Sequence, residues 1–169
     1  MSLSLFDMSV PVMIHALSNL STLLDKAAEH AEAKKIEPLV FTQARLFPDM
    51  LPLSRQVQIA CDGAKGAAAR LAAVEVPKHE DTEKTIAELK ARIAKTVEFL
   101  QSVKREQFDG AENREIVLTF PTRTLKFTGL SYLNLYALPN LYFHVTMTYA
   151  LLREGGVEIG KRDFLGPIQ

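Results

Sequence analysis

Apolar residues recur every three or four positions along three long stretches of the chain, and this spacing predicts amphipathic helices. The expected bounds are about Met8 to Lys35 for helix 1, about Pro52 to Ala73 for helix 2 and about Thr82 to Arg105 for helix 3. Ser9 is the expected N-cap of helix 1, which would place Pro11 in the first turn. Asp81 or Thr82 is the expected N-cap of helix 3.

The periodicity changes after helix 3, where apolar and polar residues alternate on either side of a short turn. Residues Glu115–Phe120 and Thr124–Thr128 alternate around Pro121-Thr122-Arg123, which predicts a β-hairpin. An isolated hairpin is only marginally stable in water, so this one is expected to pack on the helices.

A fourth helix follows an apolar but irregular segment at residues 130–138. Proline suits the first turn of a helix and glycine its end, so helix 4 is expected to start near Pro139 and to stop at Gly155-Gly156. Four helices with a hairpin between the third and the fourth predict an all-α fold. We expect a four-helix bundle that forms one domain over residues 1–169.

Two segments outside the four helices are also expected to be ordered. Residues 36–51 contain prolines but also many apolar side chains, which predicts a packed loop or a short helix. The tail at Gly160–Phe164 combines two cations with an aromatic ring. We expect it to dock on the bundle, with Phe164 filling a gap; the alternative is that it closes over a pocket or grips an anion.

Helix 2 is rich in small residues, and two of them, Gly63 and Gly66, are glycines inside the helix. Each such glycine weakens a helix by roughly 1 kcal/mol relative to alanine, so packing or a site should offset the loss. Close approach of a neighbouring helix explains the pattern most simply. The alternative is that the small side chains leave space for a ligand.

The charge balance limits the classes of partner. The chain has 20 Lys and Arg against 20 Asp and Glu, so its formal net charge is zero. Without an excess of basic residues we expect no nucleic-acid partner. A neutral protein has little charge repulsion between its copies, and a homodimer is expected.

The longest uncharged stretch, Thr128–Leu152, has the length of a membrane span, which needs about 20 apolar residues. Pro139 and several polar residues interrupt it, so we expect an element buried in the core or in a subunit interface, and no membrane association. The single cysteine, Cys61, is expected to be a small buried hydrophobic residue. With one cysteine and no basic leader, the expected compartment is the cytoplasm.

The main candidate for chemistry is His144, which lies in an apolar and aromatic run on helix 4. Thr148 shares its helical face, and Gln56 or Arg55 of helix 2 could approach it. These four residues are the predicted ligand-binding set, for an unknown small molecule. The alternative is a buried histidine that is hydrogen-bonded to a backbone carbonyl or to a tyrosine hydroxyl.

A metal site finds few ligands in this sequence. The positions four residues before and after His144 are Asn140 and Thr148, and neither is a good ligand for a transition metal. A zinc site needs at least three protein ligands, so no metal or other cofactor is expected. His144 is the one residue considered as a ligand for a divalent metal.

Three segments carry a resemblance to a known family: LFPDM at residues 46–50, LPNLYFHV at 138–145 and GKRDFLG at 160–166. Together with the order of the elements, they resemble a bacterial family of unknown function within the DinB/YfiT-like four-helix-bundle superfamily. The resemblance covers almost the whole chain. It implies a DinB-like bundle and, as in other members, association through bundle faces.

The resemblance also implies a chemistry that this sequence lacks in part. Members of the superfamily bind a divalent metal with three histidines, one on helix 2 and two on helix 4, and several are thiol-cofactor transferases. Here only His144 remains, Thr148 takes the second position on helix 4, and Gln56 or Gln58 stands where helix 2 would supply a ligand. We therefore expect a small-ligand-binding bundle without the metal site. The alternatives are a metal- or thiol-cofactor-dependent transferase and a non-catalytic homodimeric interaction protein.

Overall fold

The computed structural model describes residues 4–167, which fold into four long helices with a hairpin and short helices between and after them. The helices are α1 (Leu5–Lys34), α2 (Leu39–Gln43), α3 (Leu53–Ala72), α4 (Ile86–Ser102), α5 (Gly129–Tyr132), α6 (Leu138–Glu154) and α7 (Lys161–Leu165). The strands are β1 (Glu115–Phe120) and β2 (Arg123–Thr128), and 3-10 turns lie at Arg105–Phe108 and Ala111–Asn113. A π-helical turn at Leu133–Ala137 joins α5 to α6.

The four long helices enclose one hydrophobic core. Helices α1 and α3 each pack against both α4 and α6, so α1 and α3 occupy opposite corners of the bundle although they follow each other in the sequence. The stripes predicted from the period of three and four supply this core. Its largest fully buried side chains are Met13, Leu17, Leu20, Leu23, Leu24, Leu53, Leu71, Leu89, Ile93, Leu100, Leu133 and Leu141.

The start of α1 differs from the prediction. Ser4, not Ser9, is the N-cap, and its backbone N–H donates to the carboxylate of Asp7 at 3.1 Å. Serine followed three residues later by an acidic residue forms a capping box, which favours the earlier start. Ser9 lies inside the helix, with its hydroxyl bonded to the carbonyl of Leu5, and Pro11 is an internal proline.

The start of α4 was also predicted wrongly. Thr85 caps the helix and accepts a hydrogen bond from the backbone N–H of Glu88, while Glu88 accepts from the N–H of Thr85 at 2.9 Å. This reciprocal pair fixes the helix start four residues after Asp81 and three after Thr82. Residues 73–85 therefore form a longer loop than the sequence pattern indicated.

Helix 4 of the prediction is the second half of a longer helical run. Residues 129–154 are helical throughout, and the segment predicted as irregular forms α5 and the π-helical turn. Pro139 has no backbone N–H, so it cannot bond to the carbonyl four residues earlier. That carbonyl lies within the π-helical turn, which ends two residues before Pro139. The predicted end at Gly155 is confirmed. Within residues 4–167, no helix is long and apolar enough to cross a membrane.

The predicted hairpin is confirmed, with a two-residue turn at Pro121-Thr122. Leu118 pairs with Leu125 and Ile116 with Phe127, so these side chains share the face that packs on the helices. Gly129 follows directly and lies against the carbonyl oxygen of Ala111, where any side chain would overlap that oxygen. A Cβ atom there would also lie 3.1 Å from Cδ2 of Leu71, so the lack of a side chain lets the end of the hairpin approach the end of α3.

Both segments outside the bundle are ordered as predicted. In residues 36–51 a short helix, α2, buries Phe41 against Gly155. The tail forms α7 and docks on α1, where the Asn19 amide donates to the carbonyl of Leu165 at 2.8 Å. Phe164 packs edge-on against the ring of Tyr149.

Candidate functional site

His144 on α6 and Gln56 on α3 are in direct contact. The His144 Nδ1–H donates to Gln56 Oε1 at 2.7 Å, and the amide nitrogen of Gln56 donates to the carbonyl oxygen of Leu51 at 3.0 Å. Because the Gln56 amide uses its nitrogen on Leu51, its oxygen must accept, and the proton is assigned to Nδ1 of the imidazole. The pair thereby links α6, α3 and the loop before α3.

Burial favours the neutral form of the His144 imidazole. The side chain is 9 % exposed, and burial lowers its pKa below the ordinary value of 6.5. Its second nitrogen, Nε2, is unprotonated and makes no hydrogen bond with residues 4–167. The buried-histidine alternative thus has its partner, although this partner is an amide oxygen and neither a carbonyl of the backbone nor a tyrosine.

The other two residues of the predicted set are placed differently. The hydroxyl of Thr148 is buried and donates to the carbonyl of His144 on its own helix at 3.0 Å. Arg55 lies apart from the His144–Gln56 pair, because its guanidinium bonds to Gln58 at 2.7 Å and to the carboxylate of Asp81. Of the predicted residues, the structure brings together His144, Gln56 and Thr148.

The surroundings of His144 do not fit the three-histidine metal site that the resemblance implies. Both polar neighbours use their oxygens within the protein: Gln56 accepts from the imidazole, and Thr148 donates to the backbone. Nowhere in residues 4–167 do three or more His, Cys, Asp or Glu side chains come together to hold a metal ion. His15 on α1 is engaged elsewhere, because its Nε2 bonds to the carbonyl of Leu165 in the docked tail at 2.7 Å.

Cys61 is fully buried in the core, as predicted. Burial raises the pKa of its thiol to about 12, so the sulfur carries its proton at neutral pH. Thiolates are the nucleophilic form of cysteine, and this side chain therefore offers no nucleophile.

A cleft of about 290 Å³ lies between α3, β1 and the π turn, and we call it the Arg70 cleft. The residues that line it are Ile59, Asp62, Gly63, Arg70, Val117, Leu118, Thr119, Phe120, Tyr132, Tyr136, Ala137 and Asn140. His144 does not line it, but Asn140 precedes His144 by one turn of α6. The sequence analysis did not identify this cleft; its one signal was the pair of glycines within a helix.

Each glycine of α3 makes room for a polar side chain of the cleft. A Cβ atom on Gly66 would lie 2.5 Å from Nη1 of Arg70, so the guanidinium rests directly over the glycine. A Cβ atom on Gly63 would lie 3.1 Å from the amide nitrogen of Asn140, which approaches from α6. The close approach of Asn140 from α6 agrees with the close-packing explanation of the small residues at Gly63.

The guanidinium of Arg70 has no acidic partner. Its Nη1 lies 3.5 Å from the hydroxyl of Tyr132, and no carboxylate of residues 4–167 forms a salt bridge with it. Tyr132 stacks on Tyr136, with ring centroids 5.9 Å apart, and burial raises the pKa of the Tyr132 hydroxyl. The half-buried guanidinium of Arg70 thus lies beside the stacked rings of Tyr132 and Tyr136.

The opposite end of the cleft is electrically compensated. Oδ1 of Asp62 lies 2.7 Å from Nζ of Lys65 and 2.8 Å from Nη2 of Arg92. Arg92, with only 1 % of its side chain exposed, also pairs with Asp81 and Glu83 at 3.0 Å each. This charge cluster ties the loop before α4 to α3, and the sequence analysis missed it because its members are far apart in the chain.

Comparisons with known proteins agree with the fold. A family model described as a domain of unknown function, DUF1993, matches residues 5–165. The crystal structure of a DinB family member from Shewanella denitrificans is similar, with a TM-score of 0.89 and 41% sequence identity over 97% of this chain and 93% of that one. The comparison with curated proteins found no match. The resemblance and the DinB-like bundle predicted from the sequence are therefore confirmed.

Proposed function

This chain belongs to the DUF1993 family, a family without an assigned activity, and we propose that it is a small-ligand-binding helical bundle whose site is the Arg70 cleft. One observation carries the proposal: Arg70 and Asn140 face the same cleft, each seated over a glycine of α3, and neither has a charged partner in residues 4–167. A small number of polar groups in a concave, partly apolar surface is typical of ligand sites.

The size of the cleft and the composition of α3 support the same proposal. A volume of about 290 Å³ is at the lower end of the range for small-molecule pockets, so the ligand would be small. The two glycines weaken α3 by roughly 1 kcal/mol each relative to alanine. A site that needs the guanidinium and the amide in these positions gives a reason for keeping them.

In this proposal the predicted ligand residues act mainly by position. His144 and Gln56 hold α6 against α3, one turn from Asn140, and so set the width of the cleft. Thr148 and Arg55 make their bonds elsewhere and are assigned no ligand contact. A ligand that extended beyond the cleft toward α6 would meet Nε2 of His144 as a hydrogen-bond acceptor.

We also propose that the chain has lost the three-histidine metal site of its superfamily. The support is chemical. Gln56 and Thr148 stand where the resemblance implies the other two ligands, and the amide of Gln56 and the hydroxyl of Thr148 are both hydrogen-bonded within the protein. The transferase alternative requires a metal ion or a thiol cofactor at His144. A direct measurement of the metal content of the protein distinguishes the loss of the metal site from the transferase alternative.

A second candidate function is homodimeric interaction without a small ligand. The observation that favours it is the set of large apolar side chains exposed on the π turn and α6, where Leu135 is 73% exposed and Phe143 is 55% exposed. The zero net charge of the chain offers little repulsion between two copies. This function and ligand binding are compatible in one protein.

The proposed function is tested by filling the cleft. Thr119 is exposed on β1 and lines the cleft, so Thr119→Trp would occupy the space without entering the core. Its matched control is Thr124→Trp, because Thr124 is the cross-strand partner of Thr119 and does not line the cleft. A thermal-shift screen against a panel of small anions, cations and neutral metabolites should find ligands that stabilise the wild type and the control but not Thr119→Trp. If no compound stabilises the wild type, or if Thr119→Trp responds equally, the proposal is wrong.

A further inference from the structure

The Arg70 cleft has an excess of positive charge. Only Arg70 and Asp62 among its lining residues are charged. Asp62 already faces two cations, Lys65 and Arg92, on the same oxygen. The uncompensated charge of the cleft is therefore the guanidinium of Arg70, and a ligand that complements it must be anionic.

The geometry of Arg70 leaves its donors available. At 3.5 Å, the contact from Nη1 to the Tyr132 hydroxyl is at the limit of a hydrogen bond, and it uses one of five N–H donors. Because Gly66 has no side chain, the flat guanidinium lies against the helix backbone and is held from one side. A planar donor fork in this position matches the two oxygens of a carboxylate.

The Asn140 amide, the second polar group of the cleft, limits the distance between the polar groups of a ligand. Gly63 and Gly66, which seat the Asn140 amide and the Arg70 guanidinium, are three residues apart on α3, or roughly 4.5 Å along the helix axis. A ligand that uses both groups carries a hydrogen-bonding atom within a few bonds of its anionic group. The rings of Phe120 and Tyr136 line the remaining wall and suit a flat, apolar body.

From these three features we propose that the Arg70 cleft binds a small planar monocarboxylate that has a hydroxyl or carbonyl group close to its carboxylate. The proposal rests on the proposed function, since it names the ligand class of the same site. Arg70 forms the paired hydrogen bonds to the carboxylate, Asn140 bonds the neighbouring oxygen, and the body of the ligand lies between Phe120 and Tyr136.

The test compares two probes of the same shape, one with a carboxylate and one with a neutral carboxamide in its place. Isothermal titration calorimetry is run with salicylate, which has the carboxylate and the adjacent hydroxyl, and with salicylamide, its neutral counterpart. The wild type is expected to bind salicylate at least about tenfold more tightly than salicylamide, since hydrogen bonds to a charged group exceed neutral ones. Inorganic phosphate is titrated as a third probe, because an arginine fork also matches phosphate oxygens.

Two substitutions and one control locate the effect. Arg70→Gln is expected to weaken salicylate binding at least about tenfold and to leave salicylamide unchanged, and Arg70→Lys should fall between because it keeps the charge but loses the fork. The control is Arg123→Gln, since Arg123 lies over the ring of Phe120 at 5.6 Å but does not line the cleft. Its salicylate affinity should equal that of the wild type.

The outcomes separate this inference from the proposed function. If salicylamide binds as tightly as salicylate, or phosphate binds and salicylate does not, the carboxylate class is wrong while a ligand site remains. If Arg123→Gln loses affinity and Arg70→Gln does not, the anion is bound outside the cleft and the inference is overturned. If no compound of the wider panel stabilises the wild type, the proposed function itself fails. The wild-type comparison needs no variant, so the test stands even if Arg70→Gln does not fold.

Discussion

Nδ1 of His144 lies 2.7 Å from Oε1 of Gln56, and this single bond joins the two helices that pack most closely in the bundle. The amide nitrogen of Gln56 in turn donates a hydrogen bond to the carbonyl oxygen of Leu51 at 3.0 Å. Two hydrogen bonds therefore connect α6 through His144 and Gln56 to the backbone of the loop before α3. Their contribution is structural, and it can be measured as stability.

Replacing Gln56 by leucine should destabilise the fold. Leucine keeps the volume but removes the acceptor for the imidazole N–H, which would be left buried without a partner. The free energy of unfolding is expected to fall by about 1–3 kcal/mol, measured by urea denaturation. Gln43→Leu is the control, since Gln43 is exposed at the end of α2, and it should change stability by less than about 0.5 kcal/mol. Equal effects of the two substitutions would contradict the structural role of the pair.

Stability should decrease on mild acidification. Burial lowers the pKa of His144 below 6.5, so the unfolded chain binds a proton at a higher pH than the folded protein does. The free energy of unfolding therefore falls as the pH drops below about 6.5. Urea denaturation at about pH 7.5 and about pH 5.5 should show a smaller decrease for His144→Gln than for the wild type. Part of the decrease should remain, because burial also lowers the pKa of His79; identical slopes in wild type and variant would refute the assignment to His144.

Arg92 should be among the most sensitive polar residues for folding. Arg92→Met removes the cation that Asp62, Asp81 and Glu83 share, and it leaves three carboxylates close together. We expect a loss of about 3 kcal/mol in urea denaturation, at the lower end for a broken buried pair because Asp62 and Asp81 keep access to water. The matched control is Arg105→Met, whose salt bridge with Asp7 is at the surface and should matter far less. A loss no larger than that of the control would exclude a structural role for the cluster.

The metal content of the protein should be well below one ion per chain. After dialysis against zinc, nickel and manganese salts, plasma mass spectrometry is expected to find no stoichiometric metal, because His144 offers a single imidazole nitrogen and its neighbours are already bonded. His144→Ala should give the same result as the wild type. A near-stoichiometric metal that disappears in His144→Ala would revive the metal-dependent transferase and direct attention to thiol cofactors.

Self-association should depend on the exposed face of α6. Sedimentation velocity over a range of concentrations is expected to show a dimer for the wild type, and Phe143→Glu should shift it to monomer because a carboxylate would be buried in the interface. Met8→Glu is the control, since Met8 is an exposed apolar residue on α1. A wild type that stays monomeric at all concentrations would remove the homodimer proposal.

The sequence was informative wherever a pattern is local. The stripes that include Leu17 and Leu89 predicted three of the long helices, and the alternation around Pro121 predicted the hairpin. The start of α1 was predicted wrongly because Ser9 fits an N-cap by residue type alone, whereas Ser4 also has an acidic residue, Asp7, three positions later. Pro139 was taken as the start of a helix because proline is typical of a first turn, and the periodicity did not show that the helical run begins at Gly129.

The site was predicted only in part, because its remaining contacts join distant segments. The expected packing of two helices placed Gln56 or Arg55 near His144, and of these two residues Gln56 contacts it. Arg70 was missed, since its exposure to a cleft depends on how the hairpin and the π turn are placed over α3. The glycine at position 66 was noted, but the side chain that it accommodates lies one turn further on, and spacing alone does not show which way an arginine folds.

The diagonal placement of α1 and α3 bears on how the chain is made. Helix α1 is synthesised before the other helices described here. It packs less against α3 than against α4, α6 and α7, which come later in the sequence. During translation, the nascent chain therefore carries a long amphipathic helix with an open face until most of the chain has left the ribosome. Chaperones that hold apolar surfaces would meet α1 throughout that interval, and the core closes only when α6 arrives.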